Sequence, residues 1–223
     1  STDDSVSFLK EKFPAIKIVQ NEKNYGFAGG YNEGLKKIEA EIYCLLNSDV
    51  EVTENWINPV LDLFQSDLNI AAVQPKVLDY HRRNYFEFAG AAGGFIDNLG
   101  FPYCRGRIFE DLEEDFGQYN DETEIFWASG CCLFIRSQDF WDQNGFDQRF
   151  FAHQEEIDLC WRLKNSGRKI FYTGKSTIFH VGGGTLNKQS AQKTFLNIRN
   201  NLSMILKNAP LHPLFWVIPA RLI

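Results

Sequence analysis

Long apolar runs are absent from this sequence: none reaches the roughly 18 residues that a membrane-spanning helix requires, and the closing LFWVIPARLI is too short to be one. The opening, STDDSVS, is polar where a secretory leader would be apolar. Cysteine is scarce and poorly spaced: there are five, an odd number, with Cys131 and Cys132 adjacent and no CxxC. That excludes a disulfide framework and a zinc ribbon, and it fits a reducing, cytoplasmic setting. Positive charge is in deficit, 23 Lys and Arg against 29 Asp and Glu for a net charge of −6. No basic run is long enough to track a phosphate backbone, so no nucleic acid partner is expected. The absence of repeats and biased tracts removes coiled-coil, collagen-like and low-complexity readings. What remains is 223 residues, 44% hydrophobic and 23% charged, enough for one domain with a proper core. Aromatics are plentiful at 15%, which serves either stacking surfaces or a thick core.

Val6, Leu9 and Phe13 recur at helical spacing after the cap-type residues Asp3, Asp4 and Ser5, and predict a short helix ended by Pro14. IKIV, residues 16 to 19, reads as a strand, and Tyr31, Leu35 and Ile38 place a second helix behind a glycine-rich turn. The consecutive apolar positions of IYCLLNSDV, 42 to 50, suit a buried strand of a parallel sheet. Ile57, Leu61, Phe64 and Leu68 predict a helix with Pro59 in its first turn or at a kink, followed by a strand at 70 to 78. This alternation is the signature of an α/β domain, whose ligands lie beyond the carboxyl ends of its strands. Residues 80 to 123, rich in glycine, aromatics and acid, read as loops and short antiparallel strands. Residues 124 to 136 read as a strand broken at Gly130, SQDFWDQNG as a short helix closed by Gly145, and 154 to 167 as a helix acidic at its start and basic at its end. RKIFYT and STIFHV read as two short strands, Phe195, Ile198, Leu202, Ile205 and Leu206 as one helix face, and 209 to 223 as an apolar extension.

Four places could carry chemistry. NYGFAGGYNEG, 24 to 34, stands between strand and helix, where glycines let backbone amides approach a ligand and a helix start favours an anion; a plain tight turn is the alternative. Asp49 ends the apolar run in LLNSDV, well placed for a magnesium or manganese ion beside a diphosphate, or else for a helix or turn cap. Glu155, Glu156 and Asp158 gather in one first helical turn, where they complement the dipole, pair with Arg162 at i+4, or supply a general base. His180 precedes three glycines at a strand end, as a metal ligand or as an ordinary core residue.

The order of these segments resembles the family 2 glycosyltransferases, in particular their rhamnosyltransferase-like branch with the GT-A fold. STDDS, NYGFAGGYNEG, LLNSDV, ASGCCLFIR, GFDQRFF, EEIDLCWRL, HVGGGT and NIRNNL follow in the family's order, from Ser1 to about Asn208. The resemblance implies an α/β domain over 1–208, a mostly parallel mixed sheet flanked by helices, with a donor half (1–79) and an acceptor and catalytic half (80–208). It implies that Asn24, Gly26, Phe27, Ala28, Gly30, Asn32 and Asn47 shape the nucleotide-sugar site. Asp49 and His180 would hold the divalent metal bridging the donor diphosphate, Glu156 with Glu155 beside it would supply the catalytic base, and Trp127, Gly130 and Asp158 would build the acceptor side. Two departures stand out. Asn47 replaces the first Asp of many relatives' metal motif and removes one charge, and Glu156 stands where relatives carry Asp, which leaves open which glutamate is the base.

The implied activity is an inverting transfer from a nucleotide-diphosphate sugar to a hydroxyl of a glycan or lipid-linked acceptor, in bacterial cell-surface polysaccharide synthesis. A non-catalytic nucleotide-sugar-binding module of the same fold is the alternative; a nucleotidyltransferase would need a basic glycine-rich phosphate loop, which is missing. Residues 209 to 223, with Arg221 and the preceding amphipathic helix, could contact the inner face of the membrane, or else pack in the core or a homodimer contact. Relatives begin with a strand and an Asp-Asn-x-Ser turn. This chain opens inside that turn, so an N-terminally truncated sheet with a gap or a substitute strand, and weakened donor binding, are expected.

Overall fold

The computed structural model describes residues 3–182 and 191–221. In chain order the elements are α1 (Ser5–Lys12), α2 (Gly26–Leu35), β1 (Ile42–Leu46), β2 (Val50–Val52), α3 (Asn58–Ser66), β3 (Ile70–Asp79), β4 (Gly94–Ile96), β5 (Pro102–Cys104), β6 (Arg107–Ile108), β7 (Asp111–Leu112), β8 (Glu122–Ile125), β9 (Cys132–Arg136), α4 (Ser137–Asp142), a 3-10 turn (Gln148–Phe150), α5 (Glu155–Asn165), β10 (Lys169–His180), α6 (Ala191–Asn208) and α7 (Leu211–Ala220).

One six-stranded sheet organises the chain, in the order β1-β9-β3-β10-β2 with β8 also on β10. Alternate residues of its strands enter two cores. Val73 of β3, Phe134 of β9 and Ile178 of β10 pack with Val60 and Phe64 of α3 on one face. Ala72, Leu133, Ile135 and Tyr172 meet α2, α4 and α5 on the other. The sheet is mixed and helix-flanked as expected, but its parallel share is smaller: only β3 and β10 run parallel, whereas β1–β9, β3–β9, β10–β2 and β10–β8 are antiparallel. The cause is β9, which returns from the 80–131 excursion between β1 and β3 and runs against both.

Three local expectations change. Residues 16 to 19 form no strand, and β1, read as a buried parallel strand, pairs with β9 alone and leaves Cys44 exposed on its other side. An extended segment without a neighbour has no ladder to join. The two short strands 168–173 and 176–181 are one strand, β10, whose register against β3 shifts between Thr173 and Thr177, where Gly174 lies against the backbone of Tyr119 and Asn120. The glycines of 24 to 34 are themselves helical. Gly29, Gly30 and Gly34 each cost roughly 0.5–1 kcal/mol relative to Ala in a helix, so α2 depends on packing. Phe27, Tyr31 and Phe146 form a ring cluster with centroids 4.8 to 6.2 Å apart, and Ala28 is fully buried. α5 keeps the predicted charge gradient, with Glu155, Glu156 and Asp158 in its first turn and Arg162 and Lys164 in its last.

Candidate functional site

The start of β2 and the carboxyl ends of β3 and β10 meet in one row: Val50 pairs with His180, and His180 with Asp79. Asp49, in the turn after β1, is tied to this row through its carbonyl, which accepts from Val181 N–H at 3.0 Å. Its carboxylate Oδ1 stands 3.3 Å from His180 Nε2, and Asn47 Nδ2 lies 3.4 Å from the same ring nitrogen. His180 is nearly buried. Its other nitrogen, Nδ1, faces Glu87 Oε1 at 3.4 Å. Glu87 is buried too, and its second oxygen accepts from Ala89 N–H at 2.6 Å. Burial draws the His180 pKa down, but the hydrogen bonds and charges of Glu87 and Asp49 outweigh it and leave the value above that of an ordinary histidine.

These residues suit a divalent cation. Donors on adjacent octahedral positions around magnesium or manganese, each at about 2.1 Å, lie about 3 Å apart, close to the Asp49–His180 separation. No set of three or more His, Cys, Asp or Glu side chains converges on one metal position among the described residues. A pair of protein ligands is what such ions use when substrate phosphates complete the shell. Glu87 lies across the ring from that position, where a carboxylate accepting from Nδ1–H fixes the tautomer that leaves Nε2 free to ligate.

On the other side of Gly130 and Cys131 stands the glutamate pair. Asn47 N–H donates to the Cys131 carbonyl at 3.0 Å, while a Cβ on Gly130 would lie 3.5 Å from Phe27 and 3.7 Å from Glu156. The buried Cys131 thiol is pushed up first by burial and further by the charges of Glu87, Glu156 and Asp49. Glu155 is buried, with Oε2 unpartnered, and burial followed by the charge of Glu156 raises its pKa far above the carboxylate range. Glu156 is also raised by burial, but the N–H groups of Gly130, Ile157 and its own residue favour its charged form.

The turn that delivers this pair is strained: Phe151, His153 and Gln154 all have positive φ, at 62°, 72° and 69°. Asn200 of α6 holds it, donating through Nδ2 to the carbonyls of Phe150, Ala152 and His153 at 3.1, 2.9 and 2.7 Å. Its neighbour Arg199 donates to the Arg149 and Phe150 carbonyls. Sequence reasoning missed Glu87, Asn200 and Arg199. The NIRNNL segment was a signal for the last two; nothing in the poorly patterned 80 to 123 stretch singled out Glu87.

Several expected site residues take structural positions. Asn24 accepts from Gly26 N–H and the Phe151 carbonyl accepts from Phe27 N–H, so two of the first amides of α2 are used internally rather than offered to an anion. Gly26 is required there, at φ 72° with its α-carbon against Phe151. Asn32 is clamped to both backbone groups of Phe146, at 2.8 and 3.0 Å. Gly26, Phe27 and Gly30 do line a cavity of about 410 Å³ with Tyr31, Cys44 and Leu45. Trp127 is buried, its indole N–H donating to the Phe95 carbonyl at 2.8 Å. Asp158 is wholly buried and spent on Arg162, Lys207 and Asn208. A helix-start carboxylate can face inward or outward, and these cationic and amide partners draw this one inward. Asp158→Asn is expected to lower unfolding stability by about 2 kcal/mol in urea titrations without changing nucleotide affinity. The glycines of HVGGGT from Gly183 onward, and Ser1 and Thr2, lie outside the described residues.

Comparison with known proteins agrees with this geometry. The solved structure of GalNAc-T7 with UDP, GalNAc and Mn2+ superposes with a TM-score of 0.68 at 15% identity, over 92% of this chain and 40% of that one. The fold is GT-A. N-acetylglucosaminyl-diphospho-decaprenol L-rhamnosyltransferase of Mycobacterium tuberculosis (strain ATCC 25618 / H37Rv) is 27% identical over 241 residues, 99% of this chain and 76% of that protein. N-acetylgalactosaminyltransferase 6 of Drosophila melanogaster is 25% identical over 191 residues, 84% of this chain but 28% of its own length. The chain thus spans well under half of the Drosophila relative and of the solved structure. The family profile described as "Glycosyl transferase family 2" matches residues 1–143, well over half of the chain, and the chain therefore belongs to glycosyl transferase family 2.

Proposed function

We propose that this chain catalyses inverting transfer of a sugar from a nucleotide-diphosphate donor to a hydroxyl of a glycan or lipid-linked acceptor, at the cytoplasmic face of the membrane in cell-surface polysaccharide synthesis. The observation that carries the reading is the 3.3 Å approach of Asp49 to His180 at the strand ends, with Glu156 across Gly130 from it. Residues 1–79 form the donor half, with the cavity beside Gly26, Phe27 and Gly30 next to the nucleotide. Residues 80–208 form the acceptor and catalytic half. A divalent metal, magnesium or manganese, would be held by Asp49 and His180 and would neutralise charge on the leaving diphosphate. Asn47 contributes an amide in place of a charge. Glu156, whose charged form neighbouring backbone N–H groups favour against burial, accepts the acceptor hydroxyl proton as that oxygen attacks the anomeric carbon from the face opposite the diphosphate. Glu155 stands beside it. Glu87 orients His180 and acts through it.

Calorimetry with UDP, dTDP and GDP, with and without manganese, followed by a donor-sugar transfer assay, tests the reading. Manganese-dependent binding together with transfer supports it; binding without hydrolysis or transfer leaves a nucleotide-sugar-binding module. Glu87→Gln is expected to weaken manganese affinity by roughly 10- to 100-fold, with the melting temperature little changed. Unaltered manganese affinity would show that Glu87 does not act on His180.

A further inference from the structure

Charge is divided unevenly along this chain. All 29 acidic residues lie at or before Asp158, whereas residues 159 to 223 carry ten Lys and Arg and no Asp or Glu. The basic residues of α5 and β10 are neutralised across the fold: Arg162, Lys164, Lys169 and Lys175 pair with Asp158, Glu124, Asp67 and Glu122. Those of the last two helices are neutralised less completely: Lys207 pairs with Asp147 and Asp158 at 2.9 Å, whereas two arginines bond other groups. The Arg199 guanidinium bonds only carbonyl and amide oxygens, and Arg221 bonds the Leu99 carbonyl while stacking on Phe101 at 3.8 Å.

The same helices expose apolar surface in stripes. On α6, Phe195, Ile198 and Leu206 are 60%, 57% and 59% exposed at spacings of three and eight. On α7, Leu211 and Phe215, at i and i+4, are 79% and 83% exposed, and Val217 is the one fully buried side chain of the helix. A folded monomer rarely exposes so many large apolar side chains on neighbouring elements. Beside Leu206, a cavity of about 330 Å³ is lined by Arg149, Arg199 and Lys207 against a single carboxylate, Asp147. No helix among the described residues is long and apolar enough to cross a membrane.

We propose that the α6–α7 layer is a docking face for an anionic lipid bilayer, with Phe195, Ile198, Leu206, Leu211 and Phe215 entering the interface and with Arg199 and Arg221 meeting lipid phosphates. The commitment to a bilayer rests on charge complementarity: α6 and α7 with its C-cap carry Arg199, Lys207 and Arg221 and no Asp or Glu of their own, and exposed aromatic and aliphatic side chains combined with cations are what an interfacial helix presents. A protein partner or a second copy of this chain, with its acidic first 158 residues, would account for the charge less simply, because it would have to bury these cations in an apolar contact. The proposal deepens the reading of a lipid-linked acceptor, since docking would bring the glutamate-bearing turn held by Asn200 to the membrane surface.

Flotation of the 223-residue chain with vesicles tests the surface without any turnover, so its failure and that of the glycosyltransfer reading are separable. The chain is expected to float with phosphatidylcholine vesicles containing phosphatidylglycerol and to stay down with phosphatidylcholine alone. Added salt should release it, by roughly five-fold in partitioning for each basic residue engaged. Leu211→Glu combined with Phe215→Glu, both at solvent-exposed positions, should reduce partitioning by at least about ten-fold while manganese-dependent nucleotide binding stays unchanged. No flotation with anionic vesicles, equal flotation with neutral ones, or a dimer by light scattering that the double variant dissolves would each overturn the proposal.

Discussion

Glu156→Gln is expected to lower turnover by about 10²-fold or more while donor affinity changes little. The side chain sits at the start of α5 against Gly130, where backbone N–H groups stabilise its charge and burial opposes it. Glutamine keeps the size of the side chain and removes the proton acceptor, so the loss should fall on kcat. The pH dependence follows from the same groups. The active base is the deprotonated form, and burial holds the Glu156 pKa above the ordinary carboxylate value. Activity should therefore be full above that raised pKa and fall as pH drops through it, with the acidic limb of kcat/KM lying at higher pH than a solvent-exposed glutamate would give. Glu155 is raised as well, by burial and then by the charge of Glu156, and it stands beside the base rather than against Gly130. Glu155→Gln should accordingly retain most of the turnover. A Glu155→Gln chain that is inactive beside an active Glu156→Gln chain would exchange the two roles.

Asp49→Ala should abolish the manganese dependence of nucleotide-diphosphate binding and cost turnover about 10²-fold or more. A metal contact to a leaving diphosphate supplies several kcal/mol of charge stabilisation, and each 1.36 kcal/mol is a factor of ten. Asp49 provides the anionic ligand of the pair, since His180 is neutral when it ligates and Asn47 offers only an amide. The loss should exceed that of Glu87→Gln, which touches the ion only through the orientation of His180. Manganese titrations followed by calorimetry, with UDP and GDP present, measure both. Manganese-dependent binding that survives Asp49→Ala would place the metal elsewhere.

Much of the fold was legible in the sequence because periodicity reports what a side chain must cover. The α3 stripe, the buried β3 and the charge gradient of α5 each appear where the pattern puts them. Residues 16 to 19 carry a strand's composition without a neighbouring ladder, and composition alone cannot supply one. The α2 segment was legible in part: the helix starts at the glycines, as read from the sequence, but the Phe27, Tyr31 and Phe146 rings and the Asn32 clamp that hold it are supplied by the fold. The mixed character of the sheet follows from where β9 inserts, which depends on a long connection with no regular pattern.

The same division runs through the site. Motif order marked Asp49, Glu155, Glu156 and His180, and the structure places Asp49 on His180 and Glu156 against Gly130. Asp158 belongs to the same helical turn as the glutamates, but its partners Lys207 and Asn208 arrive from α6, some fifty residues later in the chain, and turn it into a buried tie. Trp127 is likewise claimed by the Phe95 carbonyl. Glu87 stood in no motif and becomes the residue behind His180.

The sequence by itself determined which segments could be helix or strand, the excess of acid before Asp158 and its absence afterwards, and the order of the motifs. Only the tertiary structure decided that Glu156 stands against Gly130, that His180 lies between Asp49 and Glu87, and which polar residues are spent on the core. Those outcomes depend on the direction of a side chain and on partners brought from distant strand ends and helices, and neither is encoded in local spacing.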